Sequence, residues 1–187
     1  MTPSAAAPDR GPNDAVRDAL KRQYQAALAM LRDAVERFPD ERWTEPVAGN
    51  AFWQVAYHAL FFTHFYLHAH VDAFRPFPGH QHEVEHADGL AGPPDPASSL
   101  PLLPEPYSKT HVLAFADHLI AGLDRTVDAL DLDAPESGFP WYPMAKLEHQ
   151  LLNLRHLAHH TGQLAERFRA ATDTGVEWAS SGPRTAG

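Results

Sequence analysis

Two histidines near the C-terminus of the sequence have the spacing of a metal-binding pair. His156 and His160 lie in the segment Asn153-Leu-Arg-His-Leu-Ala-His-His-Thr-Gly-Gln-Leu164. They are four residues apart, so on an α-helix they project from nearly the same side. Imidazole is the commonest metal ligand in proteins. Because two ligands do not make a stable site, the pair predicts a metal centre only if another part of the chain supplies a third.

The composition restricts what such a site can contain. The chain has 187 residues, with 13 histidines and no cysteine. Disulfides, iron–sulfur clusters, zinc–thiolate sites and a cysteine nucleophile are therefore excluded. A transition-metal site would be built from imidazole, with carboxylate or water as further ligands.

Charge and hydropathy exclude several classes of partner. The formal net charge is -9 and no short Lys/Arg cluster offsets it, which argues against a nucleic acid or an anionic membrane surface. Gln54, His58 and His64 interrupt the longest apolar stretch, residues 51–67, so we do not expect it to span a membrane. The first thirteen residues lack the apolar core of a signal peptide. We expect a soluble, cytoplasmic protein.

The hydrophobic periodicity predicts an all-α protein. Apolar residues recur at three- and four-residue steps over about 13–38, 51–73, 108–130 and 143–171, which is the period of amphipathic helices. Asn13, Asn50 and either Ser108 or Thr110 are suitable N-terminal caps, and Pro143 suits a first turn. No segment indicates a strand. Four helices of this length predict a four-helix bundle.

The predicted bundle domain covers residues 13–174. Residues 1–12 are predicted to be a disordered lead-in, and 175–187 a C-terminal tail. Between helices 2 and 3, residues 75–107 form a long proline-rich insert, and an irregular segment of this length is either functional or loosely ordered. A short helical piece over 81–87 could carry its histidines and glutamates as a lid over a site, or these could be solvated loop residues: His80, His82, Glu83, Glu85 and His86.

A helical wheel divides helix 4 into three faces. The predicted apolar stripe is Leu147, Leu151, Leu154, Ala158, Ala165 and Phe168, and the charged stripe is Glu148, Arg155, His159, Glu166 and Arg169. The third face is polar but nearly uncharged, and consists of His149, Asn153, His156, His160, Gln163 and Arg167. Such a face is typical of a partly enclosed polar cavity, although it could also be a second solvated face.

Helix 2 offers candidates for the third ligand. His58 lies on an apolar stripe that we expect to face the core, and could point toward the helix 4 pair. A lone histidine in that position could instead be a core residue bonded to a backbone carbonyl. His64 and His68 are the alternatives, but their face need not coincide with the core. We favour His58.

The two motifs together resemble the DinB/YfiT-like metalloenzyme family. The helix 4 segment is similar to the family's N-H-x-x-x-H-R-G-Q pattern, and Phe52-Trp-Gln-Val-Ala-Tyr-His-Ala-Leu60 to its helix 2 motif. The resemblance implies a four-helix bundle in which His58, His156 and His160 bind one divalent ion, zinc or nickel, with coordination positions left open. It also implies a homodimer, and a low-molecular-weight thiol such as bacillithiol or mycothiol as co-substrate. Thr161 stands where the family commonly has arginine, and the long insert could cover the cleft.

A three-histidine site would leave the charge of the ion available for chemistry. In such a zinc site the pKa of a bound water falls to about 7, and a bound thiol is deprotonated. Asn153, Gln163 and Gln54 are candidates to orient the imidazoles. His149 could contact a small-molecule substrate or accept a proton. The three amide side chains could equally be simple polar lining of a groove.

Three functions fit the sequence. The first is a metal-dependent enzyme that activates water or a low-molecular-weight thiol, as a thiol-dependent S-transferase/isomerase or a hydrolase. The second is a non-catalytic metal-binding or stress-related protein that is dimeric. The third is a helical bundle whose histidines are only polar lining and whose main role is dimerisation.

Overall fold

The computed structural model describes residues 13–47, 49–81 and 105–182. The described part of the chain contains four long helices: α1 (Asp14–Arg37), α2 (Phe52–Tyr66), α3 (Lys109–Asp128) and α4 (Lys146–Thr172). Two 3₁₀ turns, Asp40–Arg42 and Val71–Ala73, and two two-residue strands, β1 (Pro46–Val47) and β2 (Asn50–Ala51), connect them. The predicted all-α four-helix bundle is confirmed.

Parts of the sequence predictions lie outside the described residues. These are the lead-in at 1–12, the central part of the insert at 82–104 and the last residues of the tail, 183–187. His82, Glu83, Glu85 and His86 belong to this group, so the role suggested for them stays a prediction.

The helices occupy the corners of a square in the order α1, α3, α2, α4. α4 packs extensively against both α1 and α2, and α3 packs against α1 and, less extensively, against α2. α1 and α2 lie on a diagonal and have few contacts. α1 fits this place because its apolar residues recur on one face, which buries Leu20, Tyr24, Leu28, Leu31 and Val35. None of the described helices is long and apolar enough to cross a membrane.

α2 is shorter than the predicted 51–73 helix, so that boundary is wrong. It ends at Tyr66 because later backbone groups find partners in the connection between α3 and α4. The N–H of Val71 donates to the carbonyl of Gly138 over 3.1 Å. Gly138 has φ 82°, and a Cβ there would lie 2.2 Å from the carbonyl oxygen of Ala69, so this close approach requires glycine.

Four predicted helix starts can be compared with the structure, and the first, Asn13, is the N-terminal cap residue of α1 as predicted. Asn50 is not the cap of α2, because it pairs with Val47 in the short β1–β2 hairpin, where no strand was predicted. Ala51 takes the cap position, and its N–H is accepted by Gln54 Oε1 at 2.7 Å. Ser108 caps α3 by accepting from the N–H of His111. Pro143 precedes α4 by three residues instead of lying in its first turn.

The predicted apolar stripe of helix 4 is wrong at Leu151, which is 53% exposed, and at Ala158, which is also exposed. The helix instead buries much of its uncharged polar face, and Gln150 and Asn153 are completely buried. The wheel assigned burial by apolar residue type alone. The buried face of α4 instead packs against the end of α2, which presents backbone carbonyls, so polar donors are buried there. The buried residues of α4 are Lys146, His149, Gln150, Asn153, Leu157, His160, Thr161, Leu164 and Phe168.

Side chains of α4 satisfy the carbonyls at the end of α2. Lys146 Nζ donates to Ala69 O over 2.7 Å, Gln150 Nε2 to Tyr66 O over 2.8 Å, and Asn153 Nδ2 to Thr63 O over 3.2 Å. The residue number rises along α4 as it falls along α2, so the two helices are antiparallel. The last carbonyls of a helix have no partner within it, so these donors stabilise the end of α2. We call this row of polar contacts the α2/α4 seam.

The inverted burial on α4 predicts effects of unequal size for two neighbouring substitutions. Gln150→Leu should lower the free energy of unfolding by about 1–3 kcal/mol, because the buried carbonyl of Tyr66 loses its donor. Leu151→Gln, at an exposed position, should change it by less than about 0.5 kcal/mol. Urea unfolding of both variants measures this, and a more stable Gln150→Leu variant would contradict it.

Burial of His149 predicts sensitivity to acid. Burial, and secondarily the charge of Lys146, lowers the pKa of His149 to about 4, whereas an unfolded histidine titrates near 6.5. As pH falls, the unfolded chain therefore binds this proton before the folded protein does. The contribution of neutral His149 to the free energy of unfolding is complete above pH 6.5 and is lost as pH falls toward 4. It amounts to at most about 1.4 kcal/mol per pH unit.

Urea unfolding of chelator-treated protein between pH 7 and 5 tests this expectation. His149→Phe should unfold with a shallower pH dependence than the wild type. His159→Phe removes an exposed imidazole and serves as the control. Equal pH dependence in all three proteins would contradict the assignment to His149.

Candidate metal centre

The antiparallel packing of α2 and α4 brings three histidines together. His156 and His160 project from successive turns of α4, and His58 faces them from the middle of α2. Nε2 of His58 lies 3.0 Å from Nε2 of His156, and Nε2 of His160 lies 3.1 Å from the same atom. One nitrogen from each ring can be chosen so that all three lie within 4.8 Å of one another. The sequence prediction grouped the same three residues.

The cluster is enclosed but not sealed. His58 is 6% and His160 2% exposed, whereas His156 is partly exposed. Burial, followed by the neighbouring His160, His58 and His159, lowers the pKa of His156 to about 3. The neutral imidazole, which is the form that binds a metal ion, is therefore the stable form of His156 at neutral pH.

The donor set fits a divalent transition-metal ion. Two nitrogens bound at about 2.0–2.1 Å to a tetrahedral ion are about 3.3 Å apart, close to the spacings of 3.0 and 3.1 Å at His156. Neutral imidazole suits zinc, nickel, copper and iron. Without an ion, His156 Nε2 faces two other nitrogens and carries either one hydrogen or one lone pair. The convergence of the three rings is therefore better served by a cation than by hydrogen bonds alone.

Gln163 contacts the cluster directly. Its Oε1 lies 2.8 Å from Nδ1 of His160, so it can accept that N–H and leave Nε2 directed at the other two histidines. This is the arrangement in which an outer hydrogen bond fixes the tautomer of a metal ligand. The catalytic contribution predicted for Gln163 stays a prediction, but its position suits an orienting role.

Asn153 lies one turn before the ligand pair and points into the core. It is completely buried, its amide nitrogen donates to Thr63 O, and its side chain lies beside the hydroxyl of Tyr24. The hydrogen bonds of its amide within the described residues therefore go to the bundle and not to the three imidazoles. A catalytic role for Asn153 stays a prediction.

His149 is also completely buried. Aromatic rings surround it, with centroids 4.9 Å away at Tyr66, 4.9 Å at Phe139 and 5.4 Å at Tyr142. This enclosure separates it from solvent and does not place it beside the ligand cluster. The predicted contact with substrate or acceptance of a proton therefore stays untested, and a substrate could reach it only if these rings moved.

Phe62 lies beside the ligand cluster and is partly exposed. Its ring centroid is 4.8 Å from that of His58 and 5.7 Å from that of His156. An apolar ring in this place excludes water from one side of the centre. This position of Phe62 was not predicted from the sequence, although Phe62 follows His58 by four residues and so shares its face of α2.

Other candidates from the sequence have different partners. His64 Nε2 lies 3.0 Å from the carbonyl of Arg75, and His68 Nδ1 lies 2.8 Å from the carbonyl of His64, so neither joins the cluster. Gln54, predicted to orient His58, instead accepts from the N–H of Ala51. Thr161 Oγ1 donates to Leu157 O, four residues earlier in α4. His159 is exposed, as predicted.

The insert is anchored at its two described ends. Tyr107 donates its hydroxyl to Gly79 O over 3.1 Å, and Gln81 Nε2 donates to Glu105 O over 3.1 Å. Nδ1 of His80 lies 2.8 Å from the hydroxyl of Tyr57. Tyr57 precedes His58 and its ring lies 5.7 Å from that of Phe115 on α3, so these anchors lie on the α3 side of α2, away from α4.

Comparison with protein families supports the family resemblance independently of the two motifs. Residues 23–164 match the model of the DinB superfamily, and this range contains all three histidines of the cluster. The curated proteins and solved structures that were compared with the chain gave no match. Because the match spans most of the chain, the resemblance inferred from the two motifs is confirmed, and the chain belongs to the DinB superfamily.

Proposed function

We propose that this chain is a metalloenzyme in which His58, His156 and His160 hold one divalent ion, zinc or nickel, and act on a small-molecule substrate. The observation that carries the proposal is the convergence of three largely enclosed imidazoles from two rigid helices. The low pKa of His156 supports it, because a site kept neutral does not require the ion to displace a proton from that ring.

The number of protein ligands favours a catalytic site over a structural one. In the described part of the chain, the group that could hold an ion has three members and no fourth. Structural zinc sites use four protein ligands, whereas catalytic sites use three and leave a position for water or substrate. The partly exposed edge of His156, beside Phe62, is the side from which a substrate would approach.

An ion bound by three neutral imidazoles lowers the pKa of a bound water or thiol and makes it a nucleophile near neutral pH. The chain has no cysteine, so a thiol nucleophile would come from a low-molecular-weight co-substrate. The proposed reactions are thiol-dependent S-transfer or isomerisation, or hydrolysis. Gln163 would hold His160 in its ligand orientation, and Phe62 would limit access of water.

We also propose that the protein is a homodimer, as the family resemblance implies. The exposed apolar side chains of Leu151 (53%) and Trp178 (78%) are surface that a second copy could bury. The alternative function is a non-catalytic dimeric metal-binding protein that uses the same three histidines.

Metal content tests the site directly. Untagged wild-type protein should contain about one zinc or nickel ion per chain, and His156→Ala should lose most of it because two ligands hold an ion poorly. His159→Ala should keep the wild-type content, since that side chain is exposed and outside the cluster. Elemental analysis measures all three. Substoichiometric metal that is the same in wild type and His156→Ala would refute the metal site.

Removing the hydrogen bond to His160 should weaken binding without removing a ligand. Gln163→Leu should raise the metal dissociation constant by about 10- to 100-fold, the usual effect of losing such an outer partner. Gln23→Leu, whose amide donates to Ser180 O on the surface, should have no effect. Competition titration with a chromophoric chelator gives the constants, and equal affinities for all three proteins would show that Gln163 does not orient His160.

Turnover separates the enzyme from the non-catalytic alternative. Metal-loaded protein should consume an electrophilic substrate in the presence of a low-molecular-weight thiol, or hydrolyse it without one, and His156→Ala should lose this activity. Panels of electrophiles and esters, assayed with and without thiol, distinguish transfer from hydrolysis. A fully metal-loaded protein that is inactive on both panels would favour the non-catalytic function.

A further inference from the structure

Several polar atoms in the α2/α4 seam have no hydrogen-bond partner among the described residues. They are Thr63 Oγ1, Asn153 Oδ1, His156 Nδ1 and both ring nitrogens of His149. Thr63, Asn153 and His149 are completely buried, so bulk water does not reach these atoms. Buried polar atoms are nearly always paired, with protein or with ordered water.

Three of these atoms belong to one small region. The hydrogen bond from Asn153 Nδ2 to Thr63 O, 3.2 Å long, brings the side chain of Asn153 against Thr63. His156 is three residues further along α4, a rise of about 4.5 Å on nearly the same face. A buried water molecule that bridges polar groups of these residues needs two to four polar partners.

The two ligands on α4 differ in their outer contacts. His160 Nδ1 has Gln163 Oε1 at 2.8 Å, whereas His156 Nδ1 has no partner among the described residues. A metal-ligating histidine almost always uses its other nitrogen in a hydrogen bond, to a carboxylate, a carbonyl or water. Among the described side chains of the seam, the buried oxygens without a hydrogen-bond partner are Asn153 Oδ1 and Thr63 Oγ1.

We propose that Thr63 and Asn153 bind one internal water molecule, which hydrogen-bonds to Nδ1 of His156 and orients this ligand. The water would donate to Asn153 Oδ1, share a hydrogen bond with Thr63 Oγ1 and pair with His156 Nδ1. These three contacts are the usual number for a buried water. Asn153 and Thr63 are thereby positioning residues that act on the metal centre through the water.

The chemistry of His156 favours water over a fixed protein acceptor. Gln163 can hold the hydrogen of His160 on Nδ1, so Nε2 of His160 carries a lone pair. In the metal-free protein His156 would then donate from Nε2 and keep a lone pair on Nδ1. With an ion on Nε2, the hydrogen of His156 lies on Nδ1 instead. Water can donate in the first state and accept in the second, whereas a carbonyl can only accept.

His149 does not take part in this site. It is four residues before Asn153, and its ring makes a T-shaped contact with Tyr66 at 4.9 Å and 75°.

Thr63→Val tests the proposal because it removes Oγ1 and leaves nearly the same volume. If Oγ1 had no partner, the variant would be at least as stable as the wild type, since a buried unpaired hydroxyl has been removed. If Oγ1 binds the water, the thermal midpoint should fall and the metal dissociation constant should rise by about tenfold. Thr161→Val is the matched control, because it too is buried but bonds within its own helix.

Water-to-protein NOE measurements on metal-free protein detect the water itself. The wild type and Thr161→Val should show a cross-peak from long-lived water to the Asn153 side-chain amide, and Thr63→Val should lose it. The effect on metal affinity rests on the proposed metal site, but the cross-peak and the thermal midpoint do not, so a failure of either proposal can be recognised separately. Absence of the cross-peak in the wild type, or unchanged metal affinity together with an unchanged or higher midpoint in Thr63→Val, would overturn the proposal.

Discussion

The polar contact between α2 and α4 constrains the rest of this bundle. α2 stops at Tyr66 and leaves carbonyls inside the core, where each needs a donor. Lys146, Gln150 and Asn153 supply these donors from successive turns of α4. The same face of α4 then continues into His156 and His160, so the helix that completes the end of α2 also carries two of the three histidines of the cluster.

Much of the fold could be predicted because α1 and α3 follow simple rules. Each has one apolar face with a period near 3.6, and Ser108 is a conventional cap. The end of α2 could not be predicted, because it depends on Gly138 and Lys146, which come from a connection and a helix more than 65 residues later. The local sequence from 67 to 73 does not indicate those contacts, so it does not indicate where α2 ends.

The site was also only partly predictable, because local spacing can be inferred from the sequence and contacts with distant segments cannot. The spacing of His156 and His160 is a local signal. His58 was favoured over His64 because it lies on the apolar stripe of α2, which was expected to face the core. The contact between Gln163 and His160 could also be predicted, because the two residues are three apart on one helix. The burial of Gln150 and the exposure of Leu151 could not, because residue type indicates which side is apolar and not which partner the helix meets.

The α2/α4 seam also affects how accurately the three histidines of the cluster are placed. Apolar helix contacts tolerate sliding, since one aliphatic side chain can replace another at similar volume. Paired polar groups do not, because a shift by one turn leaves each donor opposite the wrong carbonyl and several buried groups unpaired. Buried polar contacts are best attested in just this role of fixing register. A displacement of one turn would carry His58 about 5.4 Å from its place beside His156. The amides and the ammonium of α4 therefore help to fix the register in which the three imidazoles converge.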